Sequence, residues 1–296
     1  MKIDGIVITD LGTSFKSSYQ RGYTSKEQLY SRVATIVPSS SGSNTYAWLG
    51  DFDGMREWLG ARLIKELSEH GYVITNKLFE LTIGVKATDI KDDNIGIYAP
   101  RFIGMGESAA AHPDELVFGL LKSGFEQDCY DGQPFFDTDH PTEVNGEEAH
   151  YSNMQAGAGE PWYLLDTTRH LKPLIWQTRE AAEFESKEDS SKSDYVFNNA
   201  KYLYGVEARY NAGFGFPQMA FASKADLTIA NVKLNRRAMT GLKDSKDKPM
   251  GIRPNLLVVG TSNEDAANDI VGQKMINGSN NTLYGKFEVL VVPWLD

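Results

Sequence analysis

The grouping of side chains that looks most like a catalytic cluster is Asp137-Thr138-Asp139-His140. Two carboxylates and an imidazole at this spacing offer oxygen and nitrogen donors to a divalent metal. Three donors within four residues rarely surround one ion without distant help. With Pro141 next, the run reads better as an Asx turn followed by a His-Pro turn. His112 is a second candidate base, but it precedes Pro113, whose ring pushes the residue before it out of helical geometry. Trp48, Trp58, Trp162, Trp176 and Trp294 could stack a ligand, although aromatic area of this kind is ordinarily packing or subunit contact. Lys233, Arg236, Arg237, Lys243, Lys246 and Lys248 could meet phosphates; Asp244 and Asp247 dilute them, and a solvated or inter-subunit face is the better reading. Gly104-Met-Gly106 and Gly213-Phe-Gly215 lack the strand–turn–helix setting of a phosphate loop. There is no Walker loop, dinucleotide fingerprint, Gly-x-Ser-x-Gly elbow or His-Glu-x-x-His. No catalytic residue, metal site or cofactor is assigned, and no enzymatic activity is expected.

The elements that would position these residues are organised around residues 76–125. Lys77–Thr88 alternates, with Phe79, Leu81, Ile83, Val85 and Ala87 on one face and Glu80, Thr82, Lys86 and Thr88 on the other, as a half-buried strand does. From Asp89 the period lengthens. Ile95, Tyr98, Phe102, Met105 and Ala109 form one face of a helix, with Asp89 as its cap. Leu116, Val117, Leu120 and Leu121 continue the pattern past Pro113 to a stop at Gly124, with a kink or a fresh helix start at the proline. End to end, the segment would reach about 45 Å, against a radius of gyration of ~19 Å for a compact domain of this length.

Before this spine, a weak amphipathic helix over Thr9–Arg32 (Leu11, Phe15, Tyr19, Leu29 and Val33) and the serine-rich run 38–43 read as an arm and a hinge. Residues 45–60 are aromatic-dense and glycine-punctuated, and 62–88 read as strands around a Glu69-His70-Gly71 bend or as a helical turn plus a long strand. Such a hairpin would project and expose backbone edges. After the spine come a turn-rich loop at 129–141, a strand at Leu171–Arg179, a charged surface loop from Glu183 to Asp194, and a strand alternating through Tyr202, Tyr204, Val206, Ala208 and Tyr210. Two helices follow, opened by capping boxes at Ser223/Asp226 and Ser262/Asp265, with a strand at Leu256–Val259 between them and another at Phe287–Val292. The order is neither βαβ nor all-β, so the fold class is α+β.

The 296 residues allow one large domain or two lobes, and the formal charge of −10 argues against non-specific gripping of nucleic acid. Cys129 is the only cysteine, which excludes an internal disulfide and a cluster of thiolates and suits a reducing compartment. No signal peptide or 18-residue apolar run is present, so a soluble, unexported chain is expected.

Three groups of residues carry a family resemblance. The first is Met55-Arg-Glu-Trp-x-Gly-x-Arg62, Tyr72-x-Ile-x-Asn-Lys-x-Phe-Glu-x-Thr82 and Asp89-Ile-x-Asp-Asp-Asn-x-Gly96. The second is Asp131-Gly-Gln-x-Phe-Phe-Asp-Thr-Asp-His-Pro141. The third is Lys172-Pro-Leu-Ile-Trp-Gln-Thr-Arg179 with Tyr204-Gly-Val-Glu-Ala-Arg-x-Asn211. From about residue 5 to the end, the chain resembles the Mu-like phage and prophage major head subunits, capsid proteins of the Hong Kong 97 fold. The resemblance implies an N-terminal arm at 1–44, an extended hairpin (E-loop) at 45–80, a peripheral domain with the spine helix at 81–159 and 284–296, and an axial domain at 160–283. It implies a virion protein, assembled in the host cytoplasm, whose hexamers and pentamers close an icosahedral shell around double-stranded DNA. A portal, a scaffold, a maturation protease and a decoration protein would be partners, and no membrane is involved. Expected assembly residues on the E-loop and arm are Trp48, Arg56, Trp58, Arg62, Lys77, Phe79 and Glu80. The expected spine core is Ile95, Tyr98, Phe102, Met105, Leu116 and Leu120. An encapsulin-like compartment and a metal-dependent hydrolase built on Asp137, Asp139 and His140 are the competing readings.

Overall fold

A computed structural model of the chain describes residues 5–49, 71–92, 94–189, 193–276 and 278–296. It begins with helix α1 (Gly5–Ser25), whose Leu11, Phe15, Tyr19 and Tyr23 recur every four residues as one apolar stripe. One turn, α2 (Tyr30–Val33), leads into strand β1 (Ala34–Pro38). Strands β2 (Ser43–Tyr46) and β3 (Tyr72–Thr75) pair antiparallel. The expected bend at Glu69-His70 and the residues Arg56, Trp58 and Arg62 lie outside the described residues. Strand β4 (Lys77–Lys86), the short helix α3 (Ala87–Lys91) and a 3-10 turn at Ile95–Ile97 precede helix α4 (Ala99–Ser123).

Strands β5 (His140–Val144) and β6 (Glu147–Tyr151) then form a hairpin. Asn145 and Gly146 close it with φ of 55° and 84°, the positive pair that a type I′ turn requires. The chain continues through β7 (Met154–Gln155), β8 (Trp162–Leu165), β9 (Leu174–Lys187), α5 (Asp194–Asn199), β10 (Lys201–Phe214), β11 (Ala220–Ser223) and α6 (Ile229–Thr240). It ends with β12 (Leu256–Val259), α7 (Glu264–Gly272), the small pair β13 (Met275–Ile276) and β14 (Ser279–Asn280), and β15 (Glu288–Val291).

Two sheets organise the body. One has the order β1-β9-β10-β4, with β10 antiparallel to both neighbours and β1 parallel to β9. The other has the order β15-β12-β8-β11-β7. Strands β8, β11 and β12 are buried along their whole length, because successive residues feed two different cores. Tyr163, Leu165, Leu256 and Val258 face the core shared with the second half of α4. Trp162, Leu164, Leu257 and Val259 face α6 and α7 through Val232, Met239, Ala267 and Ile270. A third core joins α1, the first half of α4 and the first sheet through Phe15, Tyr98, Phe102, Met105, Ile83 and Tyr204.

Several expectations change in the tertiary structure. Pro113 does not break the helix: α4 runs through it for 25 residues, and His112 stays helical. At ~1.5 Å per residue, α4 is about 38 Å long. A proline there costs roughly 3 kcal/mol, and packing on both sides offsets it. Gln28 Nε2 donates to the Ala110 carbonyl at 3.2 Å, and the buried Asp114 carboxylate accepts the Leu29 and Tyr30 N–H groups at 2.9 and 2.6 Å. The N-terminal stretch does not leave the body; α1 runs beside α4 in the same direction. Phe15 stacks on Phe102 at 4.3 Å, and Tyr19 backs onto Gly106, where a Cβ would lie 2.1 Å from the Tyr19 carbonyl oxygen.

Asp89 does not cap the long helix; it sits in α3 and accepts the Tyr98 hydroxyl. Within the expected spine core, Tyr98, Phe102 and Met105 are buried. Ile95 is half-buried on the 3-10 turn. Leu116 and Leu120 are also half-buried, because beyond the proline the face turned to the core is Val117, Phe118 and Leu121.

The serine-rich run is a bonded turn and not a hinge. Asn76 Nδ2 donates to Ser39 Oγ and to the Ser41 carbonyl, both at 2.9 Å. The charged segment expected as a loop from Glu183 is strand as far as Lys187, held by β10. Ser223 caps no helix; it ends β11, and Thr228 caps α6 by accepting the Asn231 N–H. Ser262 and Thr261 instead hydrogen-bond the Asp296 carboxylate in front of α7.

Candidate assembly interface

The residues expected to act between subunits divide three ways. Arg56, Trp58 and Arg62 lie outside the described residues. Trp48 and Phe79 pack within their own subunit: the Trp48 ring sits 5.7 Å from Tyr46 and 5.6 Å from Phe216. Phe79 meets His112 edge-on at 4.5 Å and stacks on Tyr210 at 5.2 Å. Lys77 and Glu80 are exposed, and among the described residues Glu80 Oε2 accepts a local bond from the Thr82 hydroxyl at 2.7 Å. The strand period separates Phe79 from Glu80, which point to opposite faces of β4; Lys77 shares the face of Phe79 and is exposed at the start of the strand.

Sequence reading missed the group that mounts this region on the body. Gln177 is fully buried on β9. Its Oε1 accepts the Tyr46 hydroxyl at 2.8 Å, and its Nε2 donates to Asn76 Oδ1 at 2.8 Å and to the Ile74 carbonyl at 3.0 Å. One side chain thereby ties β2 and β3 to the first sheet. Gly213 makes room for the contact, since a Cβ there would lie 2.1 Å from Ile74 Cδ1. The signal in the sequence was a glutamine directly after the apolar run Leu174–Trp176, where a buried amide must find partners. On the other side of β4, His112 Nδ1 bonds the Tyr210 hydroxyl at 2.8 Å. Burial holds this imidazole below its usual pKa, with Glu115 opposing.

The surfaces left open lie next to this mount. Strand β4 ends its sheet, and among the described residues its outer edge has no partner strand. Leu78 there is 63% exposed, and Val73 on β3 is 53% exposed. A groove of about 560 Å³ between β3 and α4 is lined by Tyr72, Val73, Lys77, Leu116, Leu120 and Trp294. The two leucines expected in the spine core are therefore the floor of this groove.

The Asp137-Asp139-His140 site does not form. The Asp137 carboxylate accepts the N–H of the next residue, Thr138, Asp139 offers its backbone carbonyl to His150, and the His140 ring faces Asp131.

An α+β subunit with a long helix laid on a sheet, a rigidly mounted strand pair and open apolar edges is built as a tile, and this is the fold class of tailed-phage capsid proteins of the Hong Kong 97 type. The chain belongs to the Mu-like prophage major head subunit gpT family, whose description matches residues 8–295. It is 41% identical over 299 residues to the major capsid protein of Escherichia phage Mu, covering 97% of this chain and 98% of that protein. The subunit in the procapsid of bacteriophage JBD30 superposes with a TM-score of 0.86 at 46% identity, covering 99% of this chain and all of that one. The subunit in the JBD30 capsid decorated with minor capsid protein trimers gives 0.76 at 35% identity over 92% of each chain. The protein is thus a major head subunit of the Mu-like type, a structural component of the virion and not an enzyme. None of its described helices is long and apolar enough to cross a membrane.

Proposed function

We propose that copies of this chain form hexamers and pentamers that close an icosahedral head around packaged double-stranded DNA. Residues 1–44 act as the arm, 45–80 as the E-loop, 81–159 with 284–296 as the peripheral domain, and 160–283 as the axial domain. The observation that supports this most directly is the open edge of β4 beside the exposed Leu78 and Val73. A soluble protein normally blunts or covers such an edge, and a second copy of the same chain covers it here. Each contact is modest, but every tile makes several at once, so avidity makes the shell strong. The net charge of −10 keeps the wall from binding its genome tightly. By likeness to the decorated JBD30 capsid, minor capsid protein trimers are decoration partners. A portal, a scaffold and a maturation protease complete the assembly set.

Light scattering and negative-stain microscopy of the purified protein test the reading. Capsomers or megadalton shells are expected. A monodisperse 33 kDa monomer at high concentration would refute it.

A further inference from the structure

Asp131 stands at the centre of a polar group that the assembly surface does not use. Its Oδ1 accepts the Cys129 thiol proton at 3.1 Å, and its Oδ2 lies 2.7 Å from His140 Nδ1. A sulfur, a carboxylate oxygen and an imidazole nitrogen thus lie within 4.8 Å of one another. Cys129 and His140 are buried, and the Asp131 side chain is only 9% exposed. Two elements bring them together. Cys129 and Asp131 sit on the turn after α4, which is closed by Cys129 N–H to the Gln133 carbonyl at 2.8 Å and by Gly132 at φ 81°. His140 opens β5 and is stacked on its cross-strand partner Tyr151 at 5.0 Å.

A second observation points to the same place. Of the five buried side-chain polar atoms with no hydrogen-bond partner among the described residues, two, Tyr151 OH and Gln218 Oε1, belong to side chains that touch this group. Gln218 is tied to this turn, its Nε2 donating to the Tyr130 hydroxyl between Cys129 and Asp131 at 2.8 Å. A buried polar atom left unpaired costs about 1–3 kcal/mol, so each one in a native interior calls for a physical reason. A concentration of them around three metal-type donors is what a site built for a bound ion looks like.

We propose that Cys129, Asp131 and His140 hold one zinc ion per subunit, with water in the fourth position. The donor set selects the metal: a thiolate and an imidazole suit zinc, whereas calcium and magnesium require oxygen throughout. Tetrahedral Zn–S, Zn–N and Zn–O bonds place such donors about 3.4–3.6 Å apart, so the two contacts to Asp131 open by well under 1 Å while the widest donor pair, within 4.8 Å, closes by up to about 1.2 Å. On binding, the thiol S–H bond breaks and a Zn–S bond forms. The His140 proton moves to its unbound nitrogen, and one proton is released to solvent without any redox change. The ion joins the turn that follows α4 to the β5–β6 hairpin and so fixes the end of the long helix. A single cysteine whose partners lie two and eleven positions away has no spacing signature, which is why the pattern Asp137-x-Asp139-His140 drew attention instead.

The test is metal analysis of the full chain equilibrated with zinc chloride and desalted, alongside cobalt(II) substitution read by absorption. The expected result is about one zinc per subunit and a thiolate-to-cobalt charge-transfer band. Cys129→Ser should abolish the band and lower zinc content at least tenfold, while Asp137→Asn and Asp139→Asn should leave both unchanged. Zinc below about a tenth of the subunits, or cobalt bound without the thiolate band, would overturn the proposal. If Cys129→Ser does not fold, the wild-type protein decides: a chelator should strip the zinc and lower the melting temperature, and an unchanged melt overturns the site.

Discussion

Phe102 joins α1 to the first sheet in the third core. It is fully buried, stacked on Phe15 at 4.3 Å and set edge-on to Tyr204 at 5.6 Å. Phe102→Ala should cost about 3–5 kcal/mol and stop the subunit folding before it can assemble, as read by urea midpoint and soluble yield. Asp296 acts in the opposite setting, at the surface. Hydrogen bonds from Thr261 and Ser262 hold its carboxyl down to about 2, from 3.8. A depressed acid stabilises the fold above its unfolded pKa and loses that contribution as the pH falls through its folded one. Asp296→Ala should therefore lower the melting temperature by a constant amount near neutrality. That difference should shrink between pH 3.8 and about 2, and a pH-independent difference would contradict the assignment. Phe102 was legible in the sequence from its period. The pairing of Asp296 with Thr261 was not, because nothing local links residues 35 positions apart.

At the scale of elements, the contact of α1 with α4 depends on which glycine faces it. A Cβ on Gly106 would meet the Tyr19 carbonyl oxygen at 2.1 Å and the Tyr23 nitrogen at 2.6 Å, whereas one on Gly104 would meet nothing within 4 Å. Gly106→Ala should push α1 away and destabilise the subunit by about 1–3 kcal/mol. Gly104→Ala, two residues along the same helix, should be neutral or stabilise by up to ~1 kcal/mol through helix propensity. Thermal melts and amide exchange over residues 8–25 would check both, and equal effects would mean that α1 does not pack there. The sequence showed Gly104-Met-Gly106 as a pair without rank. The rank depends on a helix more than 80 positions away in the chain, as the uninterrupted course of α4 through Pro113 depends on Gln28 and on the backbone at Leu29 and Tyr30.

For the whole molecule, charges in the segment proposed as the E-loop should matter to the shell and not to the tile. Glu80→Ala and Arg62→Ala should leave the circular dichroism of the subunit unchanged while reducing particle yield by electron microscopy, whereas an unfolded variant would place these residues in the core instead. The structure supports this for Glu80, whose one hydrogen-bond partner among the described residues is the local Thr82. It argues the reverse for Trp48 and Phe79, whose rings are already engaged within their own subunit. Substituting either ring should lower subunit stability before it affects assembly, and the order of those two losses in a urea and microscopy series would show it.

By itself the sequence determined the α+β class, the alternation of β4 and β10, the apolar period of the long helix and, through its long motifs, the family. Those properties are written in neighbours along the chain, where periods of two and of three to four appear directly. Only the tertiary structure decided that α1 lies on the body, that the core face of α4 shifts to Val117, Phe118 and Leu121 beyond the proline, and that Gln177 fastens the strand pair. It also decided that Asp131, and not Asp137 or Asp139, meets His140. Each of these is a contact between distant segments, and hydrogen bonding and close packing choose its partners in space, where spacing along the chain carries no record of the choice.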